Sequence, residues 1–141
     1  MSELITYRGA VYPWHCDHMG HMNVMWYVGK FDEATWQLFS SAGLTPTFMR
    51  AQQRGVAAVE QHIAYKRELV AGDVITIRSA IVEIKDKAVR FSHEMQNDHS
   101  EEVAATTVLT AVFMDTVARK TCAFPDDIRA KITALIAGVN G

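Results

Sequence analysis

Past Gly55 the hydrophobic pattern of this chain switches to a period of two and keeps it for most of the remaining length. Four stretches carry it: residues 56–69, 74–84, 88–97 and 103–118. In the third, Val89, Phe91, His93 and Met95 alternate with Arg90, Ser92, Glu94 and Gln96, so one face of a strand is mostly apolar and the other polar. The segments between them, "VAGD" (70–73), "KDK" (85–87) and "NDHSE" (97–101), are of hairpin length and supplied with Gly, Asp and Asn. Parallel strands need crossovers of a dozen or more residues. The spacing therefore predicts four antiparallel strands joined as a hairpin meander.

Upstream lie one more strand and the long helix. Residues 5–14, with Tyr7, Val11, Tyr12 and Trp14, read as a strand. From 24 to 42, Tyr27, Phe31, Ala34, Thr35, Leu38 and Ala42 recur at spacings of three and four and draw one apolar stripe. Gly43 follows where a helix-terminating glycine belongs. Trp26, Val28, Gly29, Trp36 and Phe39 lie off the stripe, where a surface helix would be polar, so this helix is expected to be enclosed on more than one side. "TPTFMRAQ" (45–52) reads as a short turn or helix opened by Pro46. Residues 125–137 read as a short amphipathic helix with Pro125 near its first position and Asp126 and Asp127 in its first turn. A five-stranded antiparallel sheet with one long helix has a compact solution, in which the sheet wraps around the helix. One helix does not seal such a sheet, and a homodimer or homotetramer is expected to supply the missing burial. The class is α+β, with a single domain over 1–141.

Composition narrows the function. With 49% hydrophobic residues the chain is not disordered, and a net charge of −2 without a basic block leaves no phosphate-neutralising surface for nucleic acid. No run of eighteen apolar residues is present for a membrane span, and "MSELITYRG" has an early acid and no apolar core of a signal peptide. Two cysteines, Cys16 and Cys122, do not make a disulfide scaffold. The expected location is the cytoplasm.

The chemistry concentrates in "WHCDHMGHMNVMWY" (14–27). His15, Cys16, Asp17, His18 and His21 are all possible metal ligands, but no second Cys/His pair stands at zinc spacing, so no metal is expected. Asp17 is open to two readings: a turn or helix-capping aspartate, or a catalytic carboxylate.

The same residues carry a resemblance. "DHMGHMNVMWY" resembles the motif of the hotdog-fold acyl-CoA thioesterases, in the 4-hydroxybenzoyl-CoA thioesterase-like superfamily, through Asp17, Gly20, His21, Asn23 and Tyr27. "FDEA" (31–34) is similar to the family's acidic pair in the central helix, and "IAYKRELVAGDVITIRSAIVEI" (63–84) to its second and third strands. The match covers about 5–118; "KRELVAGD" departs from it where the family often has a Pro before the turn, and Trp and Met are unusually abundant around the motif. The resemblance implies a hotdog fold, a homo-oligomer, and hydrolysis of an acyl-CoA thioester with no cofactor beyond the CoA of the substrate. Asp17 is then the nucleophile or general base and Glu33 the alternate or helper. Gly20, His21, Asn23, Val24 and Tyr27 fall on the substrate side.

The spacing suits that chemistry. A helix starting near Val24 exposes free N–H groups a few residues after Asp17, where they would polarise a carbonyl that Asp17 approaches from the turn. Gly20 permits the tight bend. Glu33 shares a helical stripe with Trp26, Gly29 and Trp36, so its carboxylate is expected to be partly desolvated between two tryptophans, whereas Asp32 lies off that stripe. Lys66, Arg67, Lys85, Lys87 and Arg90 are candidates for the CoA phosphates. Two other functions fit the same fold: a non-catalytic acyl-CoA-binding protein, and an enoyl thioester hydratase or dehydratase.

Overall fold

Turn chemistry and strand pairing place the elements. The computed structural model describes residues 3–138, so residues 1–2 and 139–141 of the domain expected over 1–141 lie outside the described residues. Strand β1 is Leu4–Ala10, α1 is Val24–Ser41 and α2 is Pro46–Gln52. Then come β2 (Arg54–Tyr65), β3 (Val74–Ile84), β4 (Ala88–Asn97), β5 (Val103–Asp115), the two-residue β6 (Lys120–Thr121) and α3 (Asp126–Gly138). The sheet runs β1-β3-β4-β5-β2, all antiparallel, with β6 on the end of β5. The sheet is curled, and its inner residues pack with the buried stripe of α1.

The meander holds for β3, β4 and β5 and fails at its start. Strand β2 pairs with β5, not β3, so residues 66–73 are a crossover from one edge of the sheet to the far side rather than a hairpin. The expected strand 56–69 ran too long for the same reason: Leu69 is fully buried, but in this crossover, where its carbonyl accepts from the Met22 N–H at 2.7 Å. The first strand likewise stops at Ala10, and Trp14 lies in a 3-10 turn, Pro13–His15. Pro13 has no N–H to give a ladder.

Helix α1 forms and ends as its sequence prescribes. Asn23 caps it, and Gly43, at φ +85°, closes it in the left-handed region that glycine adopts without strain. Tyr27, Phe31, Ala34, Thr35, Leu38 and Ala42 are all buried. Removing Phe31 or Leu38 from water contributes about 2–3 kcal/mol each. The expectation of a single helix under the sheet is corrected by α3, whose Ile128 and Ile132 pack with Leu38, Phe39 and Phe91 in the same core. Off the stripe, Phe39 is buried against Phe91, but Val28 and Trp36 are each 41% exposed, so one chain does not enclose this helix. Among the described residues no helix is long and apolar enough to cross a membrane.

Two apolar clusters, one around the first half of α1 and one around its second, are separated by a polar row. Ser79, His93 and Thr107 stand opposite one another on β3, β4 and β5. The Thr35 hydroxyl donates to the Phe31 carbonyl at 3.0 Å, so its oxygen accepts from His93 Nε2–H at 2.8 Å. Nδ1 of His93 then accepts from Ser79, whose oxygen lies 2.6 Å from Thr6 Oγ1. Neutral imidazole satisfies every partner. Burial holds the His93 pKa at about 4, down from 6.5. In the unfolded chain His93 takes up its proton near pH 6.5, whereas the folded chain resists until about pH 4. Stability from this residue is therefore complete above pH 6.5 and is lost as pH falls toward 4, by about 3 kcal/mol. Urea denaturation across that range checks it: wild type loses stability in acid, and His93→Gln, which has no proton to take up, shows a flatter profile.

Candidate active site

The site grows from the chain between Tyr12 and Tyr27. The Tyr12 N–H donates to His15 Nδ1 at 2.9 Å, which folds the 3-10 turn and buries the His15 ring against Trp26, 4.6 Å between centroids. Burial, and next the nearby Lys30 charge, hold the His15 pKa below its ordinary range, so the ring is neutral at pH 7. Cys16 then bridges to Met22, and the intervening residues reverse direction. The Gly20 N–H donates to the Asp17 carbonyl at 3.0 Å and the Asp17 N–H to the His21 carbonyl at 3.1 Å. Gly20 sits at φ +90°, so the bend depends on glycine as the sequence suggested.

This reversal aims Asp17 at the start of α1. Its Oδ1 accepts from the Met19 N–H at 2.8 Å and its Oδ2 from Asn23 Nδ2 at 2.7 Å. Asn23 uses its other end, Oδ1, to accept from the Met25 N–H at 2.9 Å. One side chain thus caps the helix and holds the carboxylate. The Asn23 amide, then the Met19 N–H, keep the Asp17 pKa below its usual value, so Asp17 is ionised at neutral pH. The Trp26 N–H is taken by the Asn23 carbonyl at 2.9 Å, which leaves the Val24 N–H as the first open donor of the helix among the described residues. Val24 itself is 56% exposed.

The remaining expected residues frame this point. His21 Nε2 lies 3.2 Å from Glu68 on the crossover. Tyr27 is buried, and its hydroxyl donates to the Arg67 carbonyl at 3.1 Å, tying the crossover to the helix. Burial foremost pushes its pKa up to about 12, so it stays protonated. Val24 and Tyr27 thereby face a hollow of about 260 Å³ that Lys66 and Arg67 also line. On another side of α1, Trp26, Lys30 and Glu33 face a groove of about 330 Å³ walled by Tyr12, Trp14 and His15.

Glu33 departs from expectation. It is exposed, and the two tryptophans do not enclose it. Trp26 turns to His15, while Trp36 packs on Phe39 and borders a different hollow. Spacing put the three on one stripe, but their rings lean toward different neighbours. Ten residues of helix, about 15 Å, also separate Glu33 from Asn23. Asp32 is exposed, as expected. Sequence reasoning passed over Lys30, which is buried although charged. Its signal was present: Lys30 lies four residues after Trp26 and three before Glu33, on their shared stripe.

Known proteins are similar to this chain in sequence and fold. The model of the thioesterase-like superfamily matches residues 11–132. The chain is 30% identical over 125 residues to the L-carnitine dehydrogenase/betainyl-CoA thioesterase of Agrobacterium fabrum; the match covers 89% of this chain and only 25% of that longer protein. It is 25% identical to the long-chain acyl-CoA thioesterase FadM of Escherichia coli, over 96% of this chain and 99% of FadM. A Staphylococcus aureus protein, SAV2348, solved in complex with CoA, shares the fold at TM-score 0.89 and 21% identity, over 96% of this chain and 85% of that one.

Asn23→Ala separates the two tasks of Asn23. Loss of the cap lowers stability by about 1 kcal/mol, read by chemical denaturation at pH 7. Loss of the amide lets the Asp17 pKa rise toward its ordinary 3.8, read by NMR titration of the carboxyl. Because a depressed carboxyl stabilises the fold above its unfolded pKa, that part of the difference fades as pH falls through the folded value.

Proposed function

The chain belongs to the thioesterase-like superfamily, and we propose that it hydrolyses an acyl-CoA thioester to a carboxylate and free CoA. The observation that carries this reading is the ionised Asp17, held by the residue that caps α1, beside the open Val24 N–H. The thioester carbonyl oxygen sits against the helix start, where the partial positive charge and the Val24 N–H stabilise the developing oxyanion. Asp17 has a depressed pKa and is a weak base, which supports direct attack over proton abstraction. Its carboxylate oxygen bonds to the carbonyl carbon, the C–S bond breaks, and CoA leaves as a thiolate that takes a proton from water. Water then attacks the Asp17 carboxyl carbon of the mixed anhydride, so the acid leaves with the Asp17 oxygen and the carboxylate is restored with one oxygen from water. Relatives named for betainyl-CoA and long-chain acyl-CoA support the reaction class. The CoA complex of the S. aureus protein supports a CoA subsite, for which Lys66 and Arg67 offer charge.

The active form is a homo-oligomer. Strand β2 is an edge of twelve residues, mostly exposed, with Val59 at 60% and Tyr65 at 49% exposure. An uncovered edge of this length invites pairing with another strand. Val24, Met25, Val28 and Trp36 add an exposed apolar flank on α1. A second copy meets both demands.

Three experiments test these readings. Thiol release from a panel of acyl-CoA esters should fall by about 10²–10⁴ in kcat for Asp17→Asn, while Glu33→Gln costs far less. A single turnover in H₂¹⁸O should leave the first product unlabelled, since its new oxygen comes from Asp17. Near-normal turnover by Asp17→Asn would remove Asp17 from the chemistry, and CoA ester binding without thiol release would make this a binding protein. Sedimentation at micromolar concentration should give a dimer or tetramer; an active monomer near 16 kDa would refute the assembly.

A further inference from the structure

The groove on the aromatic side of α1 has a floor that the reaction above does not use. Lys30 is 2% exposed. Its Nζ donates to the Tyr7 hydroxyl at 2.9 Å, lies 3.5 Å from the Ala10 carbonyl oxygen, and stands 5.2 Å from the Tyr7 ring centre. Among the described residues no carboxylate forms an ion pair with it. A buried ammonium without a counter-charge is costly, and such groups are ordinarily paired. An ammonium has three N–H donors, of which Tyr7 and Ala10 occupy two. The Tyr7 oxygen accepts from Lys30, and among the described residues no acceptor takes its own proton. A positive charge and two spare donors therefore lie on the floor of a groove walled by Tyr12, Trp14, His15 and Trp26.

The position of the groove suggests its occupant. The start of α1 lies between the Lys66 and Arg67 hollow on one side and the Lys30 groove on the other. A thioester laid across the Val24 N–H with its CoA over the hollow that Lys66, Arg67 and Glu68 line directs its acyl group into the aromatic groove. We propose that this groove takes the acyl group and that Lys30 and Tyr7 bind a carboxylate at its far end, making CoA thioesters of short dicarboxylic acids the preferred substrates. The inference rests on the thioesterase reading. From Val24 to Lys30 the helix rises about 9 Å, and the lysine leans back toward the helix start, a gap that an acyl chain of roughly six carbons spans. The aromatic walls flank its methylenes and keep water from the buried charge. Glu33 stands exposed at the rim, one turn beyond Lys30, and is the rival counter-charge.

Adipyl-CoA and hexanoyl-CoA have equal carbon counts and differ at the far end, carboxylate against methyl. The wild-type enzyme should favour adipyl-CoA by about tenfold or more in kcat/KM, as expected where a buried donor is left unpaired by the analogue. Lys30→Met should bring the ratio to about one, mainly through the KM for adipyl-CoA, with hexanoyl-CoA little changed. A wild-type ratio at or below one overturns the proposal. So does faster turnover of betainyl-CoA, whose quaternary ammonium Lys30 would repel. An equal loss on both substrates in Lys30→Met also overturns it and gives the lysine to Glu33. Should Lys30→Met not fold, Tyr7→Phe takes its place and should lower the ratio. Hydrolysis of other acyl-CoA esters but not adipyl-CoA sinks this inference alone, whereas thiol release from no ester sinks the thioesterase reading beneath it.

Discussion

The seating of α1 in the curled sheet is the constraint on which the rest depends. An apolar stripe from Tyr27 to Ala42 supplies the attraction, but apolar contact is non-directional and does not fix register. The Thr35–His93 hydrogen bond does, because it joins the helix to a row that runs through Ser79 toward Thr6. A slip of one residue in β4 would turn His93 outward and bury Ser92 or Glu94 in its place. Polar groups at the centre of a core thus specify one arrangement among several that would bury similar area.

Once α1 is fixed, its first turn becomes a defined point in space. Asn23 links that turn to Asp17, so the carboxylate is positioned by the same bond pattern that starts the helix. The pKa of Asp17 follows from this: hydrogen bonds to the charged form favour ionisation. The crossover from β2 to β3 passes beside the same turn, through Met22, His21 and Tyr27, and brings Lys66 and Arg67 to it. Helix start, acid and the hollow lined by Lys66 and Arg67 are one construction rather than three.

Much of this was legible because it is local. Period two marked β3 and β4 to the residue, and the inward phase of His93 was visible between Phe91 and Met95. The spacing of Asp17 and Gly20 foretold a turn just before the helix, a local feature of the chain, whereas the capping considered for Asp17 belongs to Asn23. What failed was non-local. The partner of β2 lies some fifty residues away on β5, and no turn signal names it. The surroundings of Glu33 depended on where the rings of Trp26 and Trp36 lean, which helix phase alone does not set.

The sequence by itself determined the antiparallel strands, the amphipathic helix with its glycine stop, and the turn at Asp17 and Gly20 that precedes it. Those follow from backbone sterics, side-chain periodicity and short-range hydrogen bonds. Only the tertiary structure decided that residues 66–73 cross the sheet, that α3 shares the core with α1, and that Lys30 lies buried beneath Tyr7. Each of these comes from burial between distant segments, where the free energy belongs to surfaces brought together by folding and not to either segment alone.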